Sequence, residues 1–187
     1  MAHTPFIRRA LAEGRVLYTF GFANVTGRPP AEVVMDSTAA NFAAPTIDLS
    51  EGDVFYLTLT NVGMTMRPDL FDPHTVHFHG KANAAPVFDG MPEGSFGVNM
   101  GSSITYYYAH TEPGTYMYHC HQEATEHMQM GMLGSLFVKP AQDGTPRTFG
   151  GRTFTRFVYD DGDGSTGYDV AAALQLGSMD HVFHELH

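Results

Sequence analysis

"GTYMYHCHQEATEHMQMGM", residues 114–132, decides how this chain is read. Its opening, 114–120, is rich in aromatic residues and follows a Pro-Gly turn, the pattern of a β-strand. In a strand, successive side chains face opposite ways. His119 and His121 therefore share a face, and Cys120, the single cysteine of the chain, faces the other way. The segment after it carries His127, then Met132 preceded by Gly131.

A second stretch, "HTVHFHG" (74–80), repeats the logic. His77 and His79 share a face, and His74, three residues earlier, leans to the opposite face or sits where the strand begins. If the two strands are neighbours, His77, His79, His119 and His121 cluster on one side. His74 and Cys120 then meet on the other, where His127 and Met132 join them. Two imidazoles, a thiolate and a weak axial thioether form the ligand set of a blue-copper electron-transfer site. Zinc sites seldom recruit methionine, so Met132 favours copper.

The remaining chain fits an all-β frame. "RVLYTFGFAN" (15–24), "AEVVMD" (31–36), "DVFYLTLTNV" (53–62), "SSITYYYAH" (102–110), "LGSLFVKP" (133–140) and "RTFTRFVYDD" (152–161) read as short strands between Gly, Pro, Asn and Asp turns. This is the pattern of a sandwich or barrel. Helical signals are short: a turn over 5–14 closed by Gly14, and "DVAAALQLG" (169–177). Residues 141–151 read as a loop. The expected organisation is one domain over 1–140 and an extension over 141–187, which packs back on the domain or on a neighbouring subunit. The tail histidines His181, His184 and His187 recur every third residue. A solvated terminus is expected there, with donation to a neighbour's copper as the alternative. His110 reads as a surface turn residue.

The 187 residues suit one domain with a real core. No apolar run of 18 residues is present, so no membrane-inserted helix is expected. A net charge of -10 argues against nucleic acid and anionic membranes. One cysteine excludes an intrachain disulfide. "MAHTPF" has no charged segment followed by an apolar one, so no export signal is visible in this numbering.

These motifs resemble the cupredoxin domains of multicopper oxidases (laccases and their relatives) and, more distantly, the first domain of copper nitrite reductases. "H-x-x-H-x-H-G" (74–80) is similar to the family's first copper motif, and "GTYMYHCH" followed by "H-x-x-x-G-M" to its last. "FDGMPEGSFGVNMG" (88–101) is similar to the segment between them. The resemblance covers about residues 54–140. It implies a cupredoxin-like Greek-key β-sandwich. It also implies that His74, Cys120, His127 and Met132 hold a type 1 copper, and that His77, His79, His119 and His121 serve type 2/type 3 copper. Asp89 falls where family first domains carry an acid that assists proton delivery, and Glu126 is a further proton-relay candidate by position. Five residues, "QEATE", separate His121 from His127, where the family usually has three. A family trinuclear site takes eight histidines from two domains. Two copies of this chain, facing each other across a two-fold axis, are therefore expected to pool theirs. The implied function is a homo-oligomeric, periplasmic or secreted oxidase that passes electrons from a redox partner or small reducing substrate to O2. Met128 and Met130 would form an apolar collar where the donor docks. A nitrite-reductase-like enzyme and a non-enzymatic copper carrier are the alternatives.

Overall fold

The computed structural model describes residues 2–9, 16–36, 43–63, 69, 71–80, 85–109 and 112–186. Its elements in chain order are β1 (Ala2–Arg9), β2 (Val16–Ala23), α1 (Pro30–Asp36), β3 (Ile47–Ser50), β4 (Phe55–Thr60) and β5 (His77–Phe78). They continue with β6 (Ser103–Tyr108), β7 (Gly114–His119), α2 (Ala124–Met130), β8 (Leu133–Lys139), β9 (Arg147–Phe149), β10 (Arg152–Phe154) and α3 (His181–Leu186). Two four-stranded sheets form, ordered β2-β1-β4-β6 and β3-β8-β7-β5. Each brings together strands far apart in sequence: β1 runs parallel to β4, and β3 parallel to β8.

Alternation sets what lies between the sheets. Phe20, Phe22, Leu57, Leu59, Tyr106 and Tyr108 come from the first sheet, and Phe78, Tyr118, Leu136 and Val138 from the second. All are buried in one core. Aromatic contacts knit the layers: Phe78 packs edge-on against Tyr108 (5.0 Å) and tilted against Tyr118 (5.3 Å). Gly134 is required where β8 passes Tyr118, because a Cβ there would lie 2.6 Å from the phenol ring.

Several local expectations are corrected. "AEVVMD" is the helix α1; Pro30 opens it and Glu32 places an acid in its first turn. Residues 5–9 belong to strand β1, paired along its length with β2, whereas Gly14 lies outside the described residues. The pairing overrides local helix preference. Residues 147–149, expected as loop, form a hairpin with β10 through Gly150-Gly151, both at positive φ. "IDLS" forms the strand β3 without a strand signature of its own in the sequence. "DVAAALQLG" is not helical; it is an irregular arm. The tail is not frayed up to Leu186: α3 docks with His184 buried, its Nδ1 donating to the Tyr18 carbonyl (3.1 Å). His110 and His187 lie outside the described residues. Beyond the sandwich strands, Gln175, Asp180 and His184 contact Ser135, Gln129 and Tyr18.

Candidate metal centres

The first site lies at the end of the core. His74 enters through a bridge to Val98 and Cys120 directly follows β7. His127 sits in α2, where "QEATE" forms a turn at Gln122-Glu123 and then the start of the helix, and His127 N–H donates to Glu123 C=O (3.0 Å). Helix closure at Gly131 returns the chain to the pocket. Met132 N–H donates to His127 C=O (2.9 Å), and Met132 C=O accepts from Cys120 N–H (3.2 Å). Cys120 Sγ lies 3.2 Å from His127 Nδ1 and 3.9 Å from His74 Nδ1, and the two Nδ1 atoms are 3.3 Å apart. His74, Cys120, His127 and Met132 are all buried.

Burial sets the protonation of this pocket. Burial pushes the Cys120 thiol up to about 12 and holds His127 down at about 4, so a proton competes poorly for the imidazole. The His127 Nε2 is buried without a hydrogen-bond partner. A thiol and two imidazole nitrogens within 4.8 Å of one another, with buried Met132 following His127 in the fold, fit copper better than a hard cation.

The second site lies on the outer face of β5 and β7, where His77 pairs with His119. Its imidazoles are oriented by backbone carbonyls. His77 Nδ1 donates to Asp89 C=O (2.5 Å) and His119 Nδ1 to Cys120 C=O (2.7 Å). A carbonyl only accepts, so Nδ1 carries the proton and Nε2 keeps its lone pair for a metal. His79 Nε2 lies 3.0 Å from His119 Nε2. The ligand atoms of His77, His79 and His119 fall within 4.8 Å of one another. The His121 ring stands beside this group of three, 5.1 Å from His77 and 5.5 Å from His119. Desolvation lowers the pKa of His79 and of His119 from the ordinary histidine value, which favours their neutral form.

Asp89 closes one edge of this cluster, its Oδ1 3.5 Å from His77 Nδ1. The loop that carries it is held by the Tyr108 hydroxyl, which donates to the Phe88 carbonyl, and by Gly90, whose left-handed φ of 78° sets it against the backbone of Val76 and His77. Glu126 is grouped instead with Asp72 and His127, at the mononuclear pocket, outside the His77, His79 and His119 group. Met130 is a core residue rather than part of a collar, whereas Met128 is half-buried.

Three supporting residues had no signature in the sequence. Thr75 ties the two sites together: its N–H points at Cys120 Sγ (3.4 Å), and its Oγ1 accepts from His121 N–H (3.0 Å). Phe20 packs on both imidazoles of the pocket, 5.4 Å from His127 and 6.0 Å from His74. Buried Asn61 donates to the carbonyls of Asp72 and Val98, each at 2.9 Å, which fixes the segment leading to His74.

Residues 23–143 match the family model of a multicopper oxidase domain, more than half of the chain. This chain belongs to the multicopper oxidase family. Members are copper oxidoreductases that bind copper of several types, and the fold here is their cupredoxin-like domain. Multicopper oxidase elcG of Phaeosphaeria nodorum is 30% identical over 127 residues, 67% of this chain and 19% of the relative. L-ascorbate oxidase of Cucumis sativus is 32% identical over 103 residues, 54% of this chain and 16% of the relative. Among solved structures, the blue copper oxidase from Nitrosomonas europaea is 28% identical at a TM-score of 0.53, covering 74% of this chain and 38% of that one. Multicopper oxidase mgLAC is 30% identical at 0.54, covering 75% and 38%. The chain thus spans about a fifth of the curated relatives it matches. No helix among the described residues is long and apolar enough to cross a membrane.

Proposed function

We propose that this chain is a multicopper oxidase that completes its oxygen-reducing cluster by pairing with a second copy. His74, Cys120, His127 and Met132 would hold a type 1 copper, and His77, His79, His119 and His121 half of a type 2/type 3 cluster. When bound, the copper supplies one-electron redox chemistry at the first site and the four-electron reduction of O2 to water at the second. The single observation that carries this reading is that the pocket of His74, Cys120 and His127 and the group of His77, His79 and His119 are separate, yet covalently joined at His119-Cys120-His121.

The chain's own residues divide the work. The electron donor, a small reducing substrate or redox partner, would reach the buried mononuclear pocket across the partly exposed surface of α2 above His127. The backbone of Cys120 links that pocket to His119 and His121 without a through-space step. The carbonyls of Asp89 and Cys120 hold His77 and His119 in the tautomer that leaves Nε2 free. The Asp89 carboxylate, beside His77, is the group placed to pass protons to the cluster. Glu126, next to His127 and Asp72, would act on the donor side. Work outside the cytosol, periplasmic or secreted, is part of this proposal.

A carrier reading is favoured by one observation: Cys120, His74 and His127 already lie within 4.8 Å of one another at the mononuclear pocket of a single chain, all of them buried. The test is copper content together with turnover. The oxidase reading expects clearly more than one copper per chain and O2 consumption with a phenol or Cu(I) as donor. One copper per chain and no turnover would establish a carrier; nitrite consumption in place of O2 would establish a nitrite-reductase-like enzyme.

A further inference from the structure

Residues 170–180 contain no helix or strand, yet they are tethered along their length. Ser135 Oγ donates to Gln175 Oε1 (2.9 Å), and Asp180 N–H donates to Gln129 Oε1 (2.8 Å). Beyond them, His184 is anchored on Tyr18. Gln175 turns towards the domain, so its neighbours turn away. Leu174 is 83% exposed and Leu176 86%, with Val170 at 84%. A fixed segment that displays three large aliphatic side chains to water is a surface awaiting a partner.

The register places that surface. Ser135 lies opposite Met117, and Leu133 opposite His119. Alternate residues of a strand share a face, so Ser135, Met117 and His119 lie on the outer face of the sheet β3-β8-β7-β5. Tyr118 and Leu136 point into the core. The arm and the four-histidine cluster therefore occupy the same face.

We infer that this arm seats a second copy of the chain, docked over that face with its own four histidines brought to the cluster. The inference rests on the paired oxidase reading above. The occupant is a second copy because, under that reading, an identical face adds its own His77, His79, His119 and His121 to these four, which an isologous pairing brings together. Two copies that each carry -10 repel, so a contact between them depends on apolar surface such as the arm offers and strengthens as salt screens the charge.

The test compares the copper-loaded wild-type chain with L174E/L176E, by light-scattering mass at several concentrations, copper per chain and the visible charge-transfer band. The wild type is expected to be dimeric, and more so as salt screens its charge. The variant is expected to dissociate with a Kd raised at least ~100-fold. Its copper should fall to about one per chain while the visible band persists, which reports an intact mononuclear pocket. The milder pair L174S/L176S should shift in the same direction, and L174M/L176M should remain dimeric. A dimeric L174E/L176E with full copper overturns the role of the arm and leaves the paired oxidase reading standing. A monomeric wild type, its partner then being another domain or protein, overturns both.

Discussion

Gly90→Ala should disable the four-histidine cluster and spare the mononuclear pocket. A Cβ at Gly90 would lie 2.3 Å from the Val76 carbonyl oxygen, 2.6 Å from its carbon and 2.9 Å from the His77 nitrogen. All three atoms are backbone, so no side chain can swing aside. Ordinary contact begins near 3.4 Å, so the loop must retreat by about 1 Å, which takes the 2.5 Å bond from His77 Nδ1 to Asp89 C=O to the edge of hydrogen-bond range. Holding alanine at positive φ costs about 1–2 kcal/mol, and the lost bond about 0.5–1.5 kcal/mol. The metal-free variant should therefore lose about 2–3 kcal/mol in urea unfolding. His77 would be free to change tautomer, so copper at the cluster should weaken while the visible band of the mononuclear site survives. A variant within about 0.5 kcal/mol of the wild type, with full copper, would refute the claim that this turn holds His77 in place.

The other predictions concern residues in or against the pockets. For the metal-free protein, His127 titrates at about 4 when folded, against the ordinary histidine value of 6.5 when unfolded. The unfolded chain binds a proton that the folded one refuses in that window. Stability should therefore be full above about pH 6.5 and fall by about 3 kcal/mol on acidification to pH 4; calorimetry across that range checks it, and a flat profile would contradict it. Phe20→Ala removes a fully buried ring that packs on both imidazoles, and should cost about 3–5 kcal/mol. Denaturant titration measures the loss, and spin resonance of the copper-loaded variant should show a broadened type 1 signal. Thr75→Val keeps the N–H aimed at Cys120 but leaves His121 N–H unsatisfied, for about 1–3 kcal/mol by denaturation. Both copper sites should be perturbed together.

Much of the fold and most of the candidate site were legible because strand alternation carries both. The same rule that places Tyr118 in the core turns His119 outward and Cys120 inward. It needs only two strands to be neighbours, and β5 and β7 are. The arm shows where local preference fails: Ala171–Ala173 favour a helix, but the segment is tethered to the sheet at Gln175 and stays irregular. In α2, Met128 and Met130 alternate like a strand, and the Glu126 acid and the Gly131 stop were weaker marks. Thr75, Phe20 and Asn61 were invisible for a different reason. Their roles are contacts across distant parts of the chain, such as Thr75 to Cys120, and no local pattern encodes them. Glu126 shows the limit of position along the chain, since helix winding turned it towards Asp72 and His127.

The central claim is that the thiol and the outer imidazoles serve separate copper sites. Copper-loaded Cys120→Ser, compared with the wild type by copper count, visible absorption and spin resonance, tests it most directly. The account predicts that the intense visible band vanishes with the mononuclear copper, while copper held by His77, His79, His119 and His121 remains. A serine variant that keeps its colour would contradict it.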